Sequence, residues 1–363
     1  MKDTLMRYTT FLFQRPITLC CGLVSASLLL AACTTPFPPA GQENTSTATT
    51  QTSDGPEQQA LRTMASLQTR IDRVAAPLLV NNSALCKGQA RNLLGFAAKN
   101  KYSYTGELAD TVQATFGYGE RLQVTNVLAG SGAARVGVQR GDLLLAIEGK
   151  PAPTGENAEK PAAAMLAPLV RKQSTIKLTL QRNNAPLDIA IPLTMSCAFS
   201  FELGNADHVN AYTDSRRILI TRGLVNFTQS DDELAYAMAK EMAHSILAHP
   251  AKQRMVATMD GIIDNLIRLR PELDTMNGMA GVKAYPRQLD VDADRLSLYL
   301  AARAGYNIEQ APRFWQRLAS QYPASVLNGY TAIHPSTSSR LPALEKTVVE
   351  IQAKQTSGQP LLP

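Results

Sequence analysis

The sequence is poor in cysteine and in aromatic residues, with 5 Cys, 1 Trp and 6% aromatic residues in 363 positions. This excludes a small disulfide-dense fold, while the 45% hydrophobic content excludes a collagen-like or wholly disordered chain. No internal repeat of about 20 to 50 residues is present. The basic residues behind the net charge of +6 are scattered and form no stripe, which argues against nucleic acid as a partner. The length and apolar content predict two folded units with a sizeable core.

A hydrophobic run long enough to span a bilayer is also missing from the amino terminus. The apolar run Pro16–Leu30 covers 15 residues, fewer than the roughly 20 that a transmembrane helix needs. Lys2, Arg7 and Arg15 precede it. A basic segment followed by a short apolar run is typical of a cleaved signal peptide, predicted here to cover residues 1–32.

The residues Leu30-Ala31-Ala32-Cys33 resemble the lipobox of bacterial lipoproteins. The resemblance implies that Cys33 is lipidated, becomes the first residue of the mature chain and anchors it to the membrane. Thr34, where an Asp would signal retention, implies the outer membrane and a periplasm-facing protein. An ordinary secretory signal with an incidental cysteine is the alternative. Residues 33–58 are rich in Pro, Ser, Thr and Gly and predict a flexible tether.

Two cysteines remain after removal of Cys20 and Cys21 with the signal and lipidation of Cys33. They are Cys86 and Cys197, 111 residues apart. In an oxidising compartment such a pair predicts a disulfide, and two buried thiols are the alternative.

The segment between these cysteines is dominated by short apolar strands. The predicted strands are Leu122–Leu128, Asp142–Ile147, Thr175–Leu180 and Leu187–Ile191, with a helix at about Glu156–Arg171. Residues 110–194 resemble a PDZ domain of the bacterial protease-associated kind in the segments Gly130–Ala134, Val136–Val138, Arg140–Asp142 and Ile147–Gly149. This resemblance implies that an extended peptide end binds by strand addition. The carboxylate-binding loop is assigned to Phe116, Gly117, Tyr118 and Gly119, for which a hairpin turn is an equal explanation.

Helical periodicity dominates the carboxyl-terminal part of the chain. It carries the strand Arg217–Thr221, a helix ending near Pro250 with Lys240-Glu241-Met242-Ala243-His244, a helix at 288–304 with Asp290 and Asp294, and the segment His334-Pro335-Ser336 before Arg340. Taken in order, residues 200–350 resemble the gluzincin metallopeptidases that include HtpX-like heat-shock proteases, CAAX prenyl proteases and periplasmic quality-control proteases. The fold class predicted for the whole chain is α+β, a small β-rich PDZ-like domain followed by a mainly helical zincin-type peptidase domain.

The gluzincin resemblance also implies a ligand set. In the family, two histidines of H-E-x-x-H and a later Glu hold zinc, and the Glu of the motif is the general base. Here the first His position is Lys240, the general base is Glu241 and the second His is His244. Asp290 takes the place of the third ligand, and Asp294 is the supporting carboxylate behind it. His334 is assigned a possible metal or oxyanion role.

Two of these three ligand positions are altered, which puts the enzyme activity in question. A protonated lysine offers no lone pair to a metal, whereas Asp290 is still an oxygen ligand. We therefore expect zinc to be weak or absent, with the Lys240 ammonium lying among Glu241, Asp290 and Asp294 in its place. The protein is then a pseudo-protease of envelope quality control that acts by binding polypeptides.

Two further functions stay open from the sequence. One is an active metalloendopeptidase with a rearranged site of His244, Asp290 and His334 that cleaves misfolded envelope proteins. The other is a PDZ scaffold for one fixed partner. The predicted domain boundaries are 1–32 signal peptide, 33–58 tether, 59–109 helical segment, 110–194 PDZ-like domain, 200–350 peptidase-like domain and 351–363 tail.

Overall fold

The computed structural model describes residues 55–104, 106–274, 282–326, 329–335 and 338–363. The predicted signal peptide, Cys33 and most of the tether lie outside the described residues.

The strands in chain order are β1 (Ala90–Leu93), β2 (Phe96–Lys99), β3 (Gln123–Val127), β4 (Leu143–Ile147), β5 (Lys150–Pro151), β6 (Thr175–Arg182), β7 (Ala185–Pro192), β8 (Thr194–Cys197), β9 (Ser200–Gly204), β10 (Ala211–Thr213) and β11 (Arg217–Thr221). The α-helices are α1 (Pro56–Val80), α2 (Ala109–Phe116), α3 (Gly132–Arg135), α4 (Glu159–Lys172), α5 (Arg222–Phe227), α6 (Asp231–Ile246), α7 (His249–Lys252), α8 (Val256–Leu266), α9 (Arg287–Arg303), α10 (Ala311–Gln321), α11 (Tyr330–Ile333) and α12 (Arg340–Thr356). The molecule is thus a mixed α and β protein with a β-rich region and a helical carboxyl-terminal part. None of the described helices is both long and apolar enough to cross a membrane.

The β-rich region is an antiparallel sheet with strand order β2-β3-β4-β6-β7, to which β5 adds beside β4. Alternating apolar residues build its core, as in β6, where Ile176, Leu178 and Leu180 are buried. Among the described strands, β2 pairs with β3 alone and so leaves one edge open. Strand β2 precedes residue 110, at which the predicted PDZ-like domain begins. The sheet therefore includes residues of the segment 59–109, which the sequence pattern predicted to be helical.

The motif Arg140-Gly141-Asp142 and the glycine-rich turn before it have structural roles. Asp142 accepts a hydrogen bond from the Gln139 amide at 2.8 Å and binds Arg182 through both oxygens at 2.7 Å. At Gly132 a Cβ atom would lie 1.6 Å from the Pro192 carbonyl oxygen, so α3 can approach the end of β7 only because this residue is glycine.

The predicted disulfide between Cys86 and Cys197 is confirmed, with both residues fully buried and their Cα atoms 5.6 Å apart. It lies beside the two-stranded pairing of β1 with β8, in which Ala90 is opposite Cys197. The bridge therefore joins the segments that enter and leave the β-rich region.

The helical region is built on α6, which is buried along nearly its whole length and packs against α9. The three-stranded sheet β10-β11-β9 lies beside it, with β11 antiparallel to β10 and parallel to β9. Helix α1 packs against β9 and α6 through Ile71, Val74 and Leu78. The β-rich and helical regions pack together as one unit.

Candidate active site

Helix α6 carries three of the candidate residues. Ser230 caps its amino terminus by accepting a hydrogen bond from the Glu233 amide, and acidic residues fill the first turn. Lys240 and His244 are four residues apart and so lie on one face, with Glu241 beside them. All three are buried, with exposed fractions of 0%, 0% and 1%.

The Lys240 ammonium contacts both carboxylates of α9. Its Nζ lies 2.6 Å from Asp294 Oδ1 and 2.9 Å from Asp290 Oδ1. The ring of Trp315 lies 5.6 Å from the same nitrogen, in the range of a cation–π contact. This buried lysine thus has two anionic partners and an aromatic neighbour.

Asp294 is shared between Lys240 and a second cation. Arg340 donates from Nε to Asp294 Oδ2 at 2.8 Å and from Nη2 to Oδ1 at 2.9 Å, a bidentate pairing that fixes the carboxylate plane. The Arg340 guanidinium also stacks 4.6 Å from the Trp315 ring. The charge of Asp294 raises the pKa of Arg340 despite its burial.

Three nitrogens approach a single oxygen of Asp290. Besides Lys240 Nζ, His334 Nδ1 lies 2.8 Å and His244 Nε2 3.4 Å from Oδ1. Burial would raise the pKa of this carboxyl, but Lys240 and His334 hold it well below its usual range. Asp290 is therefore an anion surrounded by nitrogen donors.

Glu241 faces the other side of His334. Its Oε1 accepts a hydrogen bond from the Tyr330 hydroxyl at 3.0 Å and lies 3.2 Å from His334 Nε2. Burial opposes the charged form, but the neighbouring histidine lowers the pKa of Glu241. Burial likewise opposes a charged His334, and Glu241 with Asp290 raises its pKa above the ordinary value. Glu241 and His334 thus stabilise each other's charged forms.

His244 is held neutral among rings. Its Nδ1 lies 3.0 Å from His249 Nδ1, and its ring stacks on Tyr285 at 4.1 Å between centroids. Burial lowers the pKa of His244 to about 4 and, together with His244, that of His249 to about 3. His244 Nε2 has no hydrogen-bond partner among the described residues. The same holds for His334 Nε2.

The site is closed to solvent. Tyr285 is 3% exposed. Its backbone amide donates a hydrogen bond to the Ile333 carbonyl at 2.8 Å, which holds the segment before α9 in place over His244. A cavity of about 80 Å³ is adjacent, lined by Tyr285, Arg287, Asp290, Val291, Asp294, Pro335 and Arg340. It has room for a few waters and not for a peptide.

One group among the described residues could hold a metal ion. His244, Asp290 and His334 each offer a ligand atom, and these atoms lie within 4.8 Å of one another. The structure thus brings together all the residues that the gluzincin resemblance singled out, including Lys240, Glu241 and Asp294.

Other candidates lie elsewhere, and some site residues were missed. Phe116 ends α2, and Gly117 is its left-handed carboxyl cap with φ of 71°, which explains that glycine without a ligand. Tyr118 is buried beneath α1. Tyr285 and Tyr330 were not singled out from the sequence. They come from separate segments and follow no motif, so only their aromatic character gave a signal.

Comparisons with known proteins find similarity to a peptidase family. Residues 175–348 match the family model described as peptidase family M48. The chain is 27% identical over 173 residues to the mitochondrial metalloendopeptidase OMA1 of Arabidopsis thaliana, covering 44% of this chain and 35% of that protein. It is 30% identical over 140 residues to a putative beta-barrel assembly-enhancing protease of Vibrio cholerae, covering 34% and 29%. The beta-barrel assembly-enhancing protease of Yersinia pestis is 27% identical over 139 residues, with the same coverage. The matches thus span about a third of these relatives' lengths.

Solved structures match part of the chain at low scores. The HtrA3 PDZ domain bound to a phage-derived ligand covers 29% of this chain and 88% of its own, with 22% identity and a TM-score of 0.21. The HtrA-type protease AlgW with decapeptide covers 29% and 30%, with 24% identity and a TM-score of 0.22. Scores this low carry no argument about the fold. Over residues 175–348, the chain is similar to peptidase family M48, a family of zinc-dependent metallopeptidases that act on polypeptides.

Proposed function

We propose that this protein binds polypeptides and is catalytically impaired, with the Lys240 ammonium in the place that a metal ion takes in family M48. The contact of Lys240 Nζ with Asp290 and Asp294, at 2.9 and 2.6 Å, carries the proposal. The Lys240 ammonium supplies the positive charge that a metal ion would otherwise supply. The buried carboxylates of Asp290 and Asp294 therefore keep a partner of opposite charge.

The donor set does not fit a zinc ion. A catalytic zinc requires three protein ligands and one open position. Asp290 Oδ1 is already contacted by Lys240 and His334, so a metal there would lie against a bound ammonium. His244 and His334 remain as nitrogen donors, and the Nε2 atom of each lacks a hydrogen-bond partner among the described residues. A divalent cation next to the Lys240 ammonium would in addition meet like-charge repulsion.

Elemental analysis of the purified chain, prepared without chelator and without a histidine tag, tests this proposal. We expect much less than one zinc per chain and no cleavage of unfolded protein substrates. A value close to one, together with peptidase activity that Glu241→Gln abolishes, would overturn it.

That last result would support a second function, which the group His244, Asp290 and His334 favours. In that case the protein is a metalloendopeptidase with a rearranged ligand set. Glu241, held by Tyr330 and His334, is the carboxylate placed to take a proton there.

Polypeptide binding is supported by the open edge of β2. The cavity beside this strand is lined by Leu93, Leu94, Gly95 and Phe96 at its start and by Ala163, Leu166 and Val170 of α4 opposite. A strand edge facing a helix across an apolar groove can accept an extended peptide through backbone hydrogen bonds. We therefore place the peptide along β2, with Leu93–Phe96 as the loop that receives its end. Tyr118 of the earlier assignment lines the same cavity.

Filling this groove tests the peptide site. Ala163 and Ala164 are neighbours on α4 and both exposed, but only Ala163 lines the cavity. We expect Ala163→Trp to abolish binding of an unfolded client, read by fluorescence anisotropy of labelled reduced and carboxymethylated lactalbumin. Ala164→Trp is the matched control and leaves binding intact. Equal binding by both variants would contradict the placement.

We further propose that the chain is held at a membrane, facing the periplasm, by lipid on Cys33. The lipobox-like residues before Cys33 support this, and the disulfide is consistent with an oxidising compartment. Incorporation of labelled palmitate that is lost in Cys33→Ala tests the anchor. A pull-down from envelope extracts separates broad client binding from a scaffold with one fixed partner.

A further inference from the structure

A cavity of about 1440 Å³ lies between the β-rich and helical regions. One wall is the edge of β2 with helix α4 beside it. The opposite wall comes from α1 and β9, which line the cavity with Leu61, Met64, Phe201 and Leu203. The groove beside β2 therefore has a second apolar wall, which an isolated sheet domain lacks.

Helix α1 turns one face to the cavity. Its lining residues recur once per turn, at Leu61, Ala65, Gln68, Asp72, Ala75 and Leu79. Apolar side chains of this wall are not fully covered. Met64 is half-buried, and Ile267, which follows α8 and belongs to the same lining, is 41% exposed. An apolar occupant would bury them.

Both faces of β2 border the cavity. Phe96, on the inner face of the strand, lines it together with Leu166 of α4. Ala97 and Lys99, which alternate with the inner residues and are exposed, line it as well. A strand added at the β2 edge continues these two faces. Its alternate side chains would therefore meet α4 on one side and the second wall on the other.

The charges of the lining favour the positive sign. Three carboxylates line the cavity with five basic side chains, which are Arg91, Lys99, Arg140, Arg171 and Arg268. One of the acids, Asp264, is bound to Arg217 at 2.6 Å. Burial raises the pKa of Asp72 and of Glu202, and the charge of Lys99 opposes this shift at both. The excess of basic groups disfavours a bound segment that carries Lys or Arg.

We propose that the groove selects polypeptide segments with consecutive apolar residues and no Lys or Arg. The inference rests on the proposed binding along β2 and names the class of segment that is bound. An amphipathic strand would place its polar side chains against one of the two walls, where they lose water without gaining a partner. Consecutive apolar residues are typical of strands that a folded protein buries on both faces, so their exposure marks an unfolded or unassembled chain.

Two fluorescein-labelled octapeptides of the same composition test this selection on the purified protein. One is Ser-Ser-Ser-Ser-Val-Val-Val-Val, and the other is Ser-Val-Ser-Val-Ser-Val-Ser-Val. Over the four residues of β2, the first presents valines to both walls, whereas the second presents valines to one wall and serines to the other. A groove with one wall would bind both alike. By fluorescence anisotropy we expect the first peptide to bind at least tenfold more tightly, and Lys in place of its next-to-last valine to remove this advantage.

A charge placed on the second wall supplies the matching variant. Ala65 and Ser66 are neighbours on α1, but only Ala65 lines the cavity. We expect Ala65→Glu to lower the affinity for the first peptide at least tenfold and that for the second less than threefold. Ser66→Glu is the matched control and leaves both affinities unchanged. Circular dichroism melting of each variant verifies that it is folded.

The outcomes separate the two proposals. Equal binding of the two octapeptides, or a preference that Ala65→Glu leaves intact, overturns the selection by two walls and leaves polypeptide binding standing. Undiminished binding of the peptide with Lys overturns the exclusion of basic residues. Binding of neither peptide, or binding that Ala163→Trp does not abolish, overturns the β2 groove itself and the selection with it.

Discussion

Lys240 Nζ and Asp294 Oδ1 lie 2.6 Å apart at the centre of the helical region, where neither side chain is more than 5% exposed. Asp294 is held from its other side by Arg340, and Lys240 also contacts Asp290. Buried charges of this kind are tolerated only when each has a partner of opposite sign. The pair therefore explains how a site with a lysine in a ligand position keeps its fold.

Removing the cation is expected to destabilise the protein strongly. In Lys240→Met the side chain keeps much of its length, but Asp290 and Asp294 lose a shared partner. Breaking a buried ion pair from one side typically costs about 3–5 kcal/mol. Urea unfolding monitored by Trp fluorescence gives the change in the free energy of unfolding.

A double-mutant cycle supplies the control for this prediction. Lys240→Met/Asp290→Asn removes one cation and one anion together, so its cost should be smaller than the sum of the single costs. Strict additivity of the two substitutions would show that the ammonium does not stabilise Asp290.

Restoring the ligands is expected to restore a metal site. Lys240→His/Asp290→Glu places two histidines four residues apart on α6 and a longer carboxylate on α9, beside the unchanged Glu241 and His244. We expect close to one zinc per chain and a melting temperature that rises with added zinc, because a ligand that binds only the folded state stabilises it. His244→Ala in the same background is the control, and zinc retained there would show adventitious binding.

The local patterns of the sequence predicted much of the fold. The predicted helical segment 59–109 begins within α1, Pro56–Val80, and the helix expected at 288–304 is α9, Arg287–Arg303. The strand Arg217–Thr221 was predicted with the bounds of β11. These elements have strong periodicities because one face of each is buried, and periodicity is a local property that one sequence displays.

The contacts between distant segments could not be predicted in the same way. Strand β2 is four residues long, and its pairing with β3 across α2 gives no local signal. Tyr285 and Tyr330 close the site over His244 and Glu241 from about 40 and 90 residues away along the chain. The contact of Lys240 with Asp290 and Asp294 was expected because a family resemblance aligned the helices, and its distances needed the structure.

Loss of the disulfide is expected to lower stability without changing the site. The bridge from Cys86 to Cys197 closes a loop of 111 residues, for which the chain-entropy model gives about 5 kcal/mol. We expect Cys86→Ala/Cys197→Ala to lose up to this amount in urea unfolding under oxidising conditions. Dithiothreitol should lower the stability of the wild type toward that of the double variant. A wild type that is equally stable with and without reductant would contradict the role of the bridge.

The buried acid Asp72 predicts a pH dependence of opposite sign to that of a paired carboxylate. Burial raises its pKa from 3.8 to about 6, so between these values the folded state holds a proton that the unfolded state has released. The free energy of unfolding therefore falls as pH rises from about 4 to about 6, and above this range the charged form costs stability. We expect Asp72→Asn to be more stable than wild type at pH 7 by about 1–2 kcal/mol, a figure reduced for the partial exposure of the group. The difference should vanish below about pH 4.

Urea unfolding of both proteins at pH 4, 5, 6 and 7 measures this difference in stability. Asp264→Asn is the control, because it loses an ion-paired acid and should show no such gain. A stability difference that is constant with pH, or that favours wild type at pH 7, would show that the Asp72 carboxylate has a cationic partner in the folded protein.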